Sequence, residues 1–185
     1  MVKPTGSHGA VLRQLPTAEL TARELLALHA LLSAAFSGGF TDDDFAHGMG
    51  GMHWLAEVDG SIVSHASVVP RRLEAGNRPL RTGYLEAVAT LPAFERRGFG
   101  SMVVRAAGRY LLPRYELGAL STGVPGFYLR LGWEAWLGPT FVHVGAGPER
   151  TEDDDGSIFI LRTPSTPTLS LTDPLVCDWR TGDVW

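Results

Sequence analysis

The sequence predicts an α+β fold in a single domain spanning residues 1–185. Three observations point there. Apolar-rich runs, 53–58 with 62–69 and a later pair, are joined by the short turns Asp59-Gly60 and Gly76-Asn77, which are hairpin signals. A run from Leu80 to Thr90 passes through Glu95-Arg96-Arg97-Gly98-Phe99-Gly100 into a segment where Phe99, Met102, Val103, Ala106, Ala107, Tyr110 and Leu111 recur at helical spacing. Another short apolar run, Leu117 to Ser121, follows once Pro113 has ended that helix.

The remaining elements follow in chain order. Ala10 to Leu15 reads as a strand. Thr21 to Phe36 reads as a helix, with Thr21 and Glu24 in capping-box spacing, and Asp42 to about Met49 as a short helix broken by Gly48 to Gly51. Gly126 to Leu131 is a short helix, and Thr140 to Val144 and Ile158 to Leu161 are strands. After Pro164-Ser165-Thr166-Pro167 comes a tail rich in turn formers.

The junction at residues 95–100 has a definite chemical use. The first turn of a helix carries N–H groups without partners and the positive end of the macrodipole, and glycines let a pyrophosphate approach the backbone. Arg96 and Arg97 add matched charge. No Gly-Lys-Ser/Thr follows, and three spaced glycines are lacking, so neither the P-loop nor the dinucleotide fingerprint is present.

Composition narrows the class. With 44% hydrophobic residues in 185, a core can form. The longest apolar stretch, Leu25 to Phe36, is too short to span a bilayer, and a cytoplasmic protein is expected. One cysteine, Cys177, excludes an internal disulfide framework. The net charge of −4 is unevenly spread: residues 71 to 114 hold nine arginines against three glutamates, leaving the remainder at −10. An anionic ligand is expected on the middle segment, without the aromatic interleaving of a nucleic-acid binder, while the acidic remainder fits either a cationic partner or simple solubility, which charge alone does not separate. The six histidines show no metal-ligand spacing, and no metal is expected. Trp54, Trp133, Trp136 and Trp179 read as packing residues.

The loop resembles the acyl-CoA loop of the GNAT acetyltransferases, Arg/Gln-x-x-Gly-x-Gly/Ala, with Glu95 departing at the first position. Further stretches are similar to the aminoglycoside 2′-N-acetyltransferases: Gly83 to Ala89, Leu117 to Ser121, Gly132-Trp133 with Trp136 and Gly138-Pro139-Thr140, Asp153-Asp154-Asp155-Gly156, and the run from Cys177 to Trp185 ending Asp183-Val184-Trp185. The resemblance implies the GNAT fold, a mixed central sheet flanked by helices with a strand split at the acyl-CoA site. It also implies transfer of acetyl from acetyl-CoA to the 2′-amino group of an aminoglycoside, antibiotic resistance, and a homodimer.

Such a transfer needs a neutral amine, a polarised carbonyl and a proton for the departing thiolate. Glu86, mid-strand among Leu85, Ala87 and Val88, faces a cavity or a partner, and is suited to steering an amine or deprotonating it through water. An ion pair with a core-facing arginine is the competing reading. Resemblance makes Tyr128 the general acid and the N–H of Val88 the group that polarises the thioester, with a bulge expected at Glu86-Ala87. It makes Val88, Ala89 and Thr90 the partners of the pantetheine arm, and Glu95, Arg96, Arg97, Gly98, Phe99 and Gly100 the phosphate loop. Asp44, Glu86, Ala87, Ser121, Asp154, Asp183 and Trp185 match acceptor positions, the tail 164–185 contributing to that site. An aspartate expected at position 39 is Gly39, and the segment between Ser121 and Tyr128 is shortened. The alternatives are a GNAT enzyme for another amine metabolite and a non-catalytic acyl-CoA-binding module.

Overall fold

The computed structural model describes residues 9–37, 39–145 and 147–185. Its spine is a long hairpin of β3 (Ser61–Ala75) and β4 (Arg78–Thr90), turning at Gly76 and Asn77, both at positive φ. Ahead of it come β1 (Val11–Pro16) and β2 (Met52–Val58), antiparallel to each other, and β2 turns into β3 through Asp59 and Gly60, again both at positive φ. Those dihedrals are what two-residue turns matching strand twist require.

Beyond the spine lie β5 (Leu117–Ser121), parallel to β4, and β9 (Ile158–Arg162), antiparallel to β5, with the two-residue β6 (Glu134–Ala135) at that edge. The other end carries β7 (Thr140–Val144) and β8 (Gly147–Arg150), joined to β3 through β10 (Leu175–Asp178). β10 falls within the segment the sequence reading treats as an irregular tail. A four-residue strand has too little alternation to announce itself, and it forms because β3 is long enough to pair with β2 along one half and β10 along the other. β6 and β8 are likewise absent from the sequence reading.

Helix α1 (Ala22–Ala35) starts at a capping box in which Thr21 and Glu24 bond reciprocally, and it buries Leu28, Leu31 and Leu32. The short α2 (Asp42–His47) has its own capping box between Thr41 and Asp44. On the opposite face of the sheet α3 (Phe99–Leu111) buries Phe99, Val103, Val104, Ala106, Ala107 and Leu111, with Trp54, Val68 and Leu85 in the same cluster. Its end lies so close to the sheet that a Cβ at Gly83 would stand 2.2 Å from Leu111 Cδ2. A second cluster holds Leu73, Tyr84, Trp136, Cys177 and Trp185. α4 (Pro125–Leu129) follows β5. Trp54, Trp133 and Trp136 are buried as expected, but Trp179 is 57% exposed, because it follows β10 at the surface.

Candidate active site

The parallel pairing of β4 with β5 runs from Thr82↔Leu117 to Tyr84↔Ala119, and then the strands part although β4 continues to Thr90 and β5 to Ser121. Just past the parting, the β3–β4 register shifts: His65 faces Ala89 and Ser67 faces Glu86, so Ala87 and Val88 stand opposite Ala66 alone. The bulge expected at Glu86-Ala87 lies one residue further on, at Ala87-Val88, while Glu86 keeps its partner Ser67. Ala87 has φ +50°, a left-handed conformation that costs a residue with a Cβ about 1–2 kcal/mol.

A cavity of about 510 Å³ opens on the split and is lined by Asp44, Glu86, Ala87, Ser121, Asp183 and Trp185, together with Phe36, Gly39, Phe40, His47 and Arg180. A second, of about 610 Å³, is lined by Val88, Ala89, Thr90, Glu95, Arg96, Gly98, Phe99 and Gly100, joined by Ser101, Phe127 and Arg130. Val88 and Tyr128 line both. One cavity collects carboxylates and the other the loop at residues 95–100, and they meet at those two residues together with Phe36 and Val124, which also line both.

The second cavity has the character of an anion site. The loop turns left-handed at Arg96 (φ +58°) and Gly98 (φ +88°), and Gly98, the N-cap of α3, provides no side-chain cap, so first-turn N–H groups stay available. A Cβ built on Gly98 would meet nothing within 4 Å; the glycine is there for its dihedral and for what approaches it. Arg97 stacks on the aromatics of its own loop: its guanidinium lies 5.0 Å from the centroid of the Phe94 ring and 5.6 Å from that of Phe99, two residues that line the cavity while Arg97 itself does not. Alternate residues of so tight a loop point apart, and Arg97 takes the aromatic side. Arg130, which had no signal in the motif, lines the cavity instead.

In the carboxylate-lined cavity several residues make structural bonds while they face the opening. Glu86 Oε1 accepts from Arg180 Nη1 at 2.5 Å, the ion pair weighed as its competing role, yet Glu86 also lines the cavity. Burial pushes its carboxyl pKa up and Arg180 opposes that shift. Asp44 Oδ2 accepts from the Thr41 N–H and hydroxyl as a helix cap while the residue faces the cavity. Ser121 lies 3.3 Å from Ser157 by its hydroxyl. Asp154 sits in a short 3₁₀ turn beside the cavity lining and not in it; burial raises its pKa, and the charge of Asp183, which does line the cavity, adds to the rise. Tyr128 is buried, which holds its phenol pKa well above the ordinary value and keeps it protonated.

The tail reaches the site by a route the sequence did not show. β10 is sheet structure, and the chain then hooks back, with His47 Nε2 2.8 Å from the Thr181 carbonyl. Arg180 Nε donates to the Asp183 carbonyl at 2.8 Å and Nη2 to the Trp185 main-chain oxygen at 2.9 Å. The Trp185 indole is 3% exposed in the second core cluster, its N–H donating to Thr151 Oγ1 at 2.9 Å, although the residue also lines the cavity. So large an apolar surface is better buried than offered.

Beneath the bulge lie two histidines that the sequence reading set aside. His65 Nδ1 is 2.7 Å from the Ala87 carbonyl, His65 Nε2 is 2.9 Å from His53 Nδ1, and His53 Nε2 is 2.7 Å from Thr17 Oγ1. Both are fully buried, and burial drives their pKa values down to about 4 for His53 and about 3 for His65, the His53 charge adding to the latter. In the unfolded chain they titrate near 6.5, so below that pH the unfolded state binds more protons than the folded one. The stability that depends on them is whole above about pH 6.5 and falls as the pH drops towards 4, by up to about 1.4 kcal/mol per unit per histidine. Urea denaturation between pH 7 and 4.5 should show this slope in the native protein and a flatter one in His53→Gln/His65→Asn; identical slopes would mean that other groups control acid stability.

Residues 17–136 match the acetyltransferase (GNAT) domain family. The chain is also 39% identical, over 177 residues, to the aminoglycoside 2′-N-acetyltransferase of Mycolicibacterium fortuitum, covering 94% of this chain and 91% of that protein. The chain belongs to this family of GNAT acetyltransferases. Solved GNAT structures share its fold at low identity: an N-acetyltransferase of Escherichia coli in complex with CoA, 14% identical with a TM-score of 0.66 over 95% of this chain and 93% of that one, and an acetyltransferase of Brucella melitensis in complex with acetyl-CoA, 18% identical with a TM-score of 0.59 over 88% and 94%. Among the described residues no cluster of ligating side chains suits a metal, and no helix is long and apolar enough to cross a membrane.

Proposed function

We propose that this enzyme transfers acetyl from acetyl-CoA to the 2′-amino group of an aminoglycoside. The observation that carries the reading is the meeting of a cavity lined by the loop at residues 95–100 and a carboxylate-lined cavity at Val88 and Tyr128. The pyrophosphate of acetyl-CoA binds at the loop from Glu95 to Gly100 and the first turn of α3, and Val88, Ala89 and Thr90 run alongside the pantetheine arm. Asp44, Glu86 and Asp183 hold the ammonium and hydroxyl groups of the drug, where partial desolvation strengthens each contact.

Transfer forms a C–N bond and breaks the C–S bond. Glu86, its basicity raised by burial, takes the amine proton through water. The Val88 N–H polarises the carbonyl as negative charge develops on its oxygen. Tyr128 supplies the proton that the departing sulfur needs. Retention of both Glu86 and Tyr128 argues for an enzyme over a binding module, which needs neither. The same proposal places the enzyme in the cytoplasm as a homodimer, where acetylating the drug confers antibiotic resistance.

A panel of acceptors with and without a 2′-amino group, assayed for CoA release, tests the reading. Release is expected with 2′-amino aminoglycosides and falls to background with 2′-hydroxyl counterparts. Equal release from both sets, or turnover confined to polyamines, would replace the substrate class.

A further inference from the structure

We propose that His65 is a positioning residue for acetyl transfer: through a one-way relay from Thr17 and His53, its Nδ1–H holds the Ala87 carbonyl in the bulge and so sets the direction of the Val88 N–H. This rests on the reading that Val88 polarises the thioester, and it adds the device that aims it.

The argument starts from what neutral imidazoles can do. Each has one N–H and one lone pair. The Ala87 carbonyl, 2.7 Å from His65 Nδ1, only accepts, so that nitrogen carries the proton and Nε2 is bare. His53 Nδ1, 2.9 Å from this bare nitrogen, must then donate, which leaves His53 Nε2 bare in turn, 2.7 Å from Thr17 Oγ1. The Thr17 oxygen accepts from the Gly50 N–H at 2.9 Å and the Gly51 N–H at 3.1 Å, and its own proton has two acceptors in reach, the Gly51 carbonyl at 3.2 Å and the bare His53 Nε2, the nearer of them at 2.7 Å, which completes the chain. Reversing the relay would set two lone pairs against each other at Ala87. The direction is therefore fixed by a main-chain carbonyl at one end and two main-chain amides at the other.

What the relay holds is a costly backbone. Ala87 stays at φ +50° although it is not glycine, and such residues persist only where their surroundings over-determine them. Ala87 and Val88 have no register partners on β3, so the ladder itself cannot fix them. The next peptide in the chain is Ala87–Val88, in which the carbonyl gripped by His65 and the N–H assigned to the thioester belong to one rigid plane. Gripping one end therefore aims the other, into the place where the two cavities meet.

The test compares His65→Asn with His65→Gln. The Asn amide nitrogen occupies the place of Nδ1 and can still donate to Ala87; the Gln amide reaches the place of Nε2 and cannot. With chemistry limiting, kcat should fall at least tenfold in His65→Gln while KM for the aminoglycoside stays within threefold, and His65→Asn should recover most of the loss. Equal kcat in the two folded variants, or a loss that follows thermal stability alone, would overturn the proposal. A second measurement needs no variant: side-chain ¹⁵N spectra of the native protein should show both His53 and His65 as the Nδ1–H tautomer, and an Nε2–H tautomer for His65 would equally overturn it. Failure of the functional reading is seen elsewhere, as absence of CoA release by the unaltered enzyme with 2′-amino acceptors.

Discussion

Tyr128→Phe lowers kcat by about 10²–10⁴, the range in which removal of a positioned general acid falls, and changes aminoglycoside affinity little. The fold should survive. The ring packs edge-on against Phe127 at 4.9 Å and Trp133 at 6.1 Å between centroids, contacts that phenylalanine keeps. Only the hydroxyl goes. The raised phenol pKa sharpens the expectation, because it keeps the proton in place throughout the working range and makes its delivery depend on the sulfur charge that develops in the transition state. Pre-steady-state measurement of the chemical step, with calorimetric titration of the drug, checks both halves. A chemical step as fast as that of the native enzyme would take Tyr128 out of the mechanism.

Deleting Asp183 to Trp185 has two separable effects. Losing the buried indole, with its bond to Thr151, costs about 3–5 kcal/mol, as removal of a core tryptophan does, and should lower the melting temperature by roughly 10 °C in a domain of this size. KM for the aminoglycoside should rise as well, since Asp183 and the tail hook line the acceptor cavity, while acetyl-CoA binding on the far side of Val88 holds. Asp183→Asn separates the two by removing a charge without emptying the core: a higher KM at nearly unchanged melting temperature. If KM is unaltered in both variants, the tail is scaffold and the substrate assignment loses one of its supports.

The strand-to-helix loop at residues 95–100 was legible because its signal is local. A glycine at φ +88°, a helix that begins beside it and an apolar face on α3 are all written within seventeen residues. The same holds for Glu86, a lone carboxylate in an apolar strand. For Arg97 and Asp154 the motif gives the order of residues and not the side to which each side chain turns; Arg97 stacks on an aromatic pair and Asp154 lies on a turn beside the cavity lining. Arg180 was visible in the terminal run without a role, since its partner Glu86 lies 94 positions away.

By itself the sequence determined the pieces whose cause acts within a few residues. Thr21 and Glu24 close a capping box three positions apart, Asp59-Gly60 and Gly76-Asn77 can take the left-handed dihedrals a tight hairpin needs, and the period of α3 selects its buried face. Tertiary structure alone decided the pieces that depend on register and burial. β10 is a strand because β3 leaves an open edge beyond β2; Trp185 is core because the hook after β10 carries it inward. Ala87 is left-handed because two residues must face one, and His65 is a neutral donor because burial strips its charge and a carbonyl dictates its tautomer. Short-range interactions are encoded in neighbouring letters, whereas a desolvated hydrogen bond between strands exists only once the sheet has brought its two ends together.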